Sequence, residues 1–133
     1  MVEPFYNLLC AGEENKAKHI GAKTLDAGDI MNTLAGWTAI GYGKSLLPLK
    51  TLLFRWTDDF AQKGDQTHLG LQAMDEAISE LSIGCRPEDA CRALYLVSAA
   101  ARAMNVGLIK ELGEHLKNIV PNAIIRNGDY PRG

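Results

Sequence analysis

Apolar and polar residues alternate along this chain with two different periods. From Thr67 to Glu80, Leu71, Met74, Ile78 and Leu81 recur every three to four residues, with Asp75, Glu76 and Ser79 outside, which predicts an amphipathic helix. A second such helix spans Met104 to Ile119 through Met104, Leu108, Leu112 and Leu116, and Pro121 blocks its continuation. Two shorter helices precede them. Pro4 suits a first helical turn, Phe5, Leu8 and Leu9 share a face, and Gly12 is a stop. In LDAGDIMNTLAG, Asp26 is placed as an N-cap and Asp29 lies three residues on, where an acid favours exposed helix N–H groups. Ile30 and Leu34 repeat at i, i+4, and Gly36 is the expected stop. Pro87, Glu88 and Asp89 open a further helical turn.

Three runs read as strands: Trp37 to Tyr42, bounded by glycines, then Ala93 to Ala99, then Ala123 to Arg126. Glu13 to His19 is a polar connection, and GDYPRG is a closing turn. Ser45 to Gln66 contains LLPLKTLLFRW, apolar but poorly periodic, and then DDFAQKGDQ, which reads as a polar turn. The order helix, helix, strand, helix, strand, helix, strand predicts an α/β two-layer sandwich, a small mixed sheet with helices packed on it. No internal boundary divides residues 1–133, so a single domain is expected.

Composition narrows the function. With 133 residues, 47% apolar and 23% charged, the chain has ordinary globular proportions. A net charge of -2 and no basic stripe give no electrostatic basis for holding nucleic acid. The first residues, MVEPFYNLLC, lack the pattern of a signal peptide, and no apolar run approaches the ~20 residues of a membrane span, so a cytoplasmic protein without a transmembrane segment is expected. Cys10, Cys85 and Cys91 are odd in number and scattered, which fits a reducing compartment. They share no ligand spacing with His19, His68 and His115, so no metal site is expected. Cys85 and Cys91 read as small buried residues and the histidines as surface imidazoles. The run Thr38 to Ser45 (TAIGYGKS) is similar to a phosphate-binding loop but has threonine where the pattern needs glycine. Its glycines fit close packing at a strand end better. The remaining constellation is Asp26 with Asp29. Both acids suit local helix capping, and both suit positioning a water.

KTLDAGDIMNTLAGWTAIGYG resembles the stretch of the tubulin/FtsZ superfamily from the synergy loop through the next helix into the following strand. Those proteins carry Asn-x-Asp-x-x-Asp there. The chain reads Thr24-Leu25-Asp26-Ala27-Gly28-Asp29, with Thr24 in place of the asparagine. LGLQAMDEAI, RALYLVSA and LIKELGEHLKNIVPNAIIRNGDYP are similar to the family's C-terminal helices and strands in order and spacing, and FYNLLCAGEE to the end of its long central helix. The resemblance is closest to archaeal FtsZ-like and CetZ-like members. It implies that residues 1–23 are the end of the central helix and a connection, and residues 24–133 the C-terminal domain.

The resemblance also implies a role. In this superfamily the C-terminal domain offers its acidic loop to the GTP site of the next subunit, across a head-to-tail contact. Asp26 and Asp29 are then the catalytic pair, and Thr24 stands at a nucleotide-contacting position. The glycine-rich GTP-binding loop of the family has no counterpart here. No cofactor is expected in this chain alone, GTP is implied from a neighbouring subunit, and the isolated chain is not expected to be active. The implied partners are tubulin/FtsZ-like GTPase subunits or further copies of the chain. Alternatives are a stand-alone, non-enzymatic module that binds or caps a polymer, and an unrelated small-molecule-binding α/β domain. The family's last strand would follow Pro131, where only Arg132 and Gly133 remain. The expectation is that Leu49 to Phe54, or another chain, fills that slot.

Overall fold

The computed structural model describes residues 6, 8–9, 25–46, 59–100 and 103–132. Within them lie helices α1 (Ala27–Thr33), α2 (Asp59–Ser79) and α3 (Val106–Ile119), a 3-10 turn at Pro87–Asp89, and strands β1 (Arg92–Ala100) and β2 (Ile124–Arg132). Tyr6, Leu8 and Leu9 are also helical. Pro4, Phe5, Gly12, Thr24 and the segment Leu49 to Phe54 lie outside the described residues.

The expected α/β architecture is present: helices pack on a small sheet. β1 and β2 run parallel, with Arg92 opposite Ile124 and Ala100 opposite Arg132. Parallel neighbours need a crossover, and α3 supplies it. Asn105 starts α3, its Oδ1 accepting a hydrogen bond from Leu108 N at 2.8 Å. Leu108, Leu112 and Leu116, one turn apart, are buried. Leu116, Val120 and Ala123 form a core cluster against Met74 and Ile78 of α2 and against Ala93, Tyr95 and Ile125 of the sheet. A buried Leu or Val side chain such as Leu116 or Val120 contributes about 1.5–3 kcal/mol. His115 Nε2 meets Asp75 Oδ1 at 2.6 Å and ties α3 to α2.

The pleat sorts the sheet residues onto two faces. Tyr95 faces α3, where its hydroxyl donates to Ile109 O at 2.9 Å. It accepts there from Asn127 Nδ2 at 3.1 Å. Burial pushes the Tyr95 phenol above its ordinary value of 10.0, and the Asn127 bond opposes that rise. Leu96 and Gly128 face the other way, toward Leu25 and α1.

Three sequence expectations need correction. Trp37 to Tyr42 is not a strand. Residues 38–46 instead run without regular structure along α2, so closely that a Cβ on Gly41 or Gly43 would collide with the carbonyls of Ala77 or Ala73. Their backbone partners come from the end of α2 and its side chains: Ser82 N donates to Ile40 O at 2.8 Å, and Lys44 N to Glu76 Oε2 at 3.1 Å. The glycines do serve close packing, but against a helix. Next, the polar DDFAQKGDQ is no turn, because α2 already begins at Asp59. Finally, GDYPRG is not a closing turn. β2 continues through it to Arg132, with Tyr130 opposite Ser98 and Pro131 opposite Ala99. β2 has a strand on one side only among the described residues, so Pro131 sits where a missing N–H is tolerated.

Candidate functional site

The acidic pair is held by a nest on the outer face of the sheet. Leu25 is 2% exposed and is the residue that enters α1. It rests directly on β2 at Gly128, where a Cβ would lie 2.5 Å from Leu25 Cγ and 2.8 Å from its Cδ1. Only glycine permits that approach. Ile30, one turn into α1, is also buried. Leu25 and Ile30 thus hold the helix start at a fixed place on the sheet, with Asp26 exposed and Asp29 partly buried toward β2.

Asp26 occupies the N-cap position by backbone geometry, with φ -83° and ψ 145°. Its carbonyl accepts from Asp29 N at 3.0 Å and Ile30 N at 3.2 Å. Its carboxylate, however, makes no capping hydrogen bond and is exposed. The capping assignment therefore holds for the backbone and not for the side chain. Asp29 is engaged differently. Its Oδ1 accepts from Arg126 Nε at 2.6 Å, a charge-assisted bond between groups 97 residues apart. The Asp29 side chain is 38% exposed and that of Arg126 30%. At the far end of α1, Arg92 Nη1 donates to Asn32 O at 2.7 Å. Arginines from both strands therefore pin α1. α1 ends at Thr33, three residues before the expected stop at Gly36.

The structure brings Asp26 and Asp29 onto one exposed helix start, while Thr24 lies outside the described residues. Arg126, Arg92 and Gly128 were missed by sequence reasoning. Arg126 was the one signal available, as the charged residue of the apolar run AIIR. Met31 and Trp37, on and just after α1, are 74% and 100% exposed.

The other candidates separate. Thr38 to Ser45 lies along α2 with the Glu76 carboxylate on the Lys44 N–H, which places negative charge where a phosphate would have to sit. Cys85 and Cys91 are exposed free thiols and not the buried residues expected, since they flank the surface turn Pro87–Asp89. Among the described residues no group of three or more His, Cys, Asp or Glu is placed to hold a metal, and no helix is long and apolar enough to cross a membrane.

Residues 1–133 match the family described as the tubulin-like CetZ, C-terminal domain. Tubulin-like protein CetZ5 of Haloferax volcanii is 23% identical over 135 aligned positions, covering 93% of this chain and 34% of the relative. The solved GDP-bound monomer of CetZ1 from Haloferax volcanii superimposes with a TM-score of 0.55 at 21% identity, covering 81% of this chain and 29% of that one. The chain thus spans about a third of the length of these proteins, and the solved structure supports the fold alone. The match over the full sequence decides the family: the chain belongs to the tubulin-like CetZ C-terminal domains, a branch of the tubulin/FtsZ superfamily of cytoskeletal GTPases.

Proposed function

We propose that this chain supplies its acidic loop to the GTP site of an adjoining tubulin-like subunit and so promotes hydrolysis there. The observation that carries the reading is the state of Asp26. Its carboxylate stands exposed at the helix start, without the capping bond that would otherwise occupy it, beside an Asp29 held in place by Arg126. In the reaction, the oxygen of a water bonds to the γ-phosphorus as the bond from that phosphorus to the GDP leaving group breaks. The two carboxylates accept hydrogen bonds from that water and hold its lone pair in line, and the water's proton passes to a carboxylate or to the phosphate being formed. The exposed Met31 and Trp37 suit a contact surface around the loop.

Thr24 is proposed to lie against the neighbour's nucleotide, as its place in the loop pattern implies. The nucleotide is the neighbour's GTP. This chain's sequence has no glycine-rich phosphate cradle of its own. The test is GTP turnover by a CetZ-type GTPase mixed with this chain, with Asp26→Asn and Asp29→Asn as probes. Acceleration that depends on both carboxylates supports the reading. Binding without acceleration favours a module that binds or caps a polymer.

A further inference from the structure

Arg126 is the feature of β2 that neither packing nor strand propensity explains. It lies on the same face as Gly128, two residues away, and so beneath the entry to α1. Its neighbours in the strand, Ile124 and Ile125, are apolar. Its guanidinium reaches Asp29 Oδ1 at 2.6 Å through Nε. A half-exposed ion pair of this kind adds little to stability, because water screens both charges and two flexible side chains must be ordered. An apolar residue would fasten α1 to the sheet at least as well. What an arginine adds is direction. Its Nε holds one carboxylate oxygen, Oδ1, at a defined place on the sheet.

We infer that Arg126 is a positioning residue: it orients Asp29 toward the adjoining subunit's nucleotide water while Asp26 stays free to approach it. This role rests on the acidic-loop function proposed for Asp26 and Asp29. It divides the labour within the pair. Asp29 is pre-ordered by a strand of its own domain, and Asp26 is left without a cap to adjust on contact. Arg92 complements it, because its bond to Asn32 O stops α1 from pivoting about the Asp29–Arg126 contact. Misplacing a reacting group by about 1 Å costs on the order of a hundredfold in rate, so orientation has large leverage even when stability does not.

The experiment measures single-turnover hydrolysis by a GTP-loaded CetZ-type GTPase as the 133-residue chain is titrated in, with the melting temperature of each variant recorded. Arg126→Ala is expected to lower the maximal stimulated rate by about tenfold or more while the half-saturating concentration moves less than about threefold. Arg126→Lys keeps the charge without the Nε donor, and its rate should fall between wild type and Arg126→Ala. In the double variant Asp29→Asn with Arg126→Ala, the rate should match Asp29→Asn alone, since Arg126 acts only through Asp29. A purely structural role predicts instead that rate loss follows melting temperature and that Lys restores both. That pattern, or a folded Arg126→Ala with the wild-type maximal rate, overturns the inference. If the wild-type chain itself gives no stimulation, the acidic-loop reading falls and takes this role with it. If the wild type stimulates and Arg126→Ala matches it, this role alone falls.

Discussion

Leu25 occupies the space that a side chain on Gly128 would need. A Cβ there would stand 2.5 Å from Leu25 Cγ, and Leu25 is buried and cannot swing aside. Gly128→Ala should therefore destabilise the domain by about 1–3 kcal/mol, as overpacking of a filled site does. Because Leu25 leads directly into Asp26, the same change should shift the acidic helix start. Chemical denaturation gives the first quantity. A melting curve unchanged by Gly128→Ala would show that the nest is looser than described.

Asp26 is a cap in backbone only. A capping side chain is worth about 1 kcal/mol, but the Asp26 carboxylate makes no such bond, so Asp26→Ala should cost well under that amount. Urea denaturation of the wild type and the variant measures it. A loss of the full capping value would mean that the carboxylate serves the helix, and the case for a role toward a partner would weaken.

Tyr95 gives a pH-dependent expectation. Burial raises the phenol above its ordinary 10.0 in the folded state, so the folded protein keeps this proton longer than the unfolded chain does. Its contribution is complete below the unfolded value of 10.0 and is lost as pH rises through the folded value. Tyr95→Phe should reduce stability near neutral pH by about 1–2 kcal/mol, because Ile109 O and Asn127 Nδ2 both lose a partner. The difference between wild type and variant should shrink as the pH rises above 10.0. Stability curves at neutral and alkaline pH check the sign, and a gap that widens with pH would contradict it.

How far the sequence foretold this molecule depended on where each element finds its partners. α3 was legible because Leu108, Leu112 and Leu116 carry the helical period themselves and all face the core. β1 was legible because its half-buried interior reads as an unbroken apolar run from Ala93 to Val97. The end of β2 was not, since Gly128 and Pro131 are turn residues by composition. They are strand residues only because Leu25 and an open edge accept them. Trp37 to Tyr42 misled for the reverse reason. An apolar stretch between glycines looks like a strand, but its backbone bonds to Ser82 and to Glu76 of α2, partners that no local pattern reveals. Asp26 and Asp29 were singled out by their spacing and by a family pattern. Arg126 was not, because it meets Asp29 across 97 residues of chain.

The isolated chain should not bind GTP. Thr38 to Ser45, its closest approach to a phosphate-binding loop, lacks the first glycine and carries the Glu76 carboxylate on the Lys44 N–H. Calorimetry should give no heat of binding at micromolar GTP. Saturable binding to this chain alone would revive that loop as a site.

The central claim is that the acidic loop acts on a neighbour's GTP. Phosphate release from a GTP-loaded CetZ-type GTPase should rise saturably as the wild-type chain is added. With Asp26→Asn or Asp29→Asn it should fall by about a hundredfold at saturation, with the half-saturating concentration nearly unchanged, as expected when a group orienting the attacking water is lost. A stimulated rate that survives the loss of both carboxylates, or a wild-type chain that binds the GTPase and leaves its turnover unchanged, would contradict it.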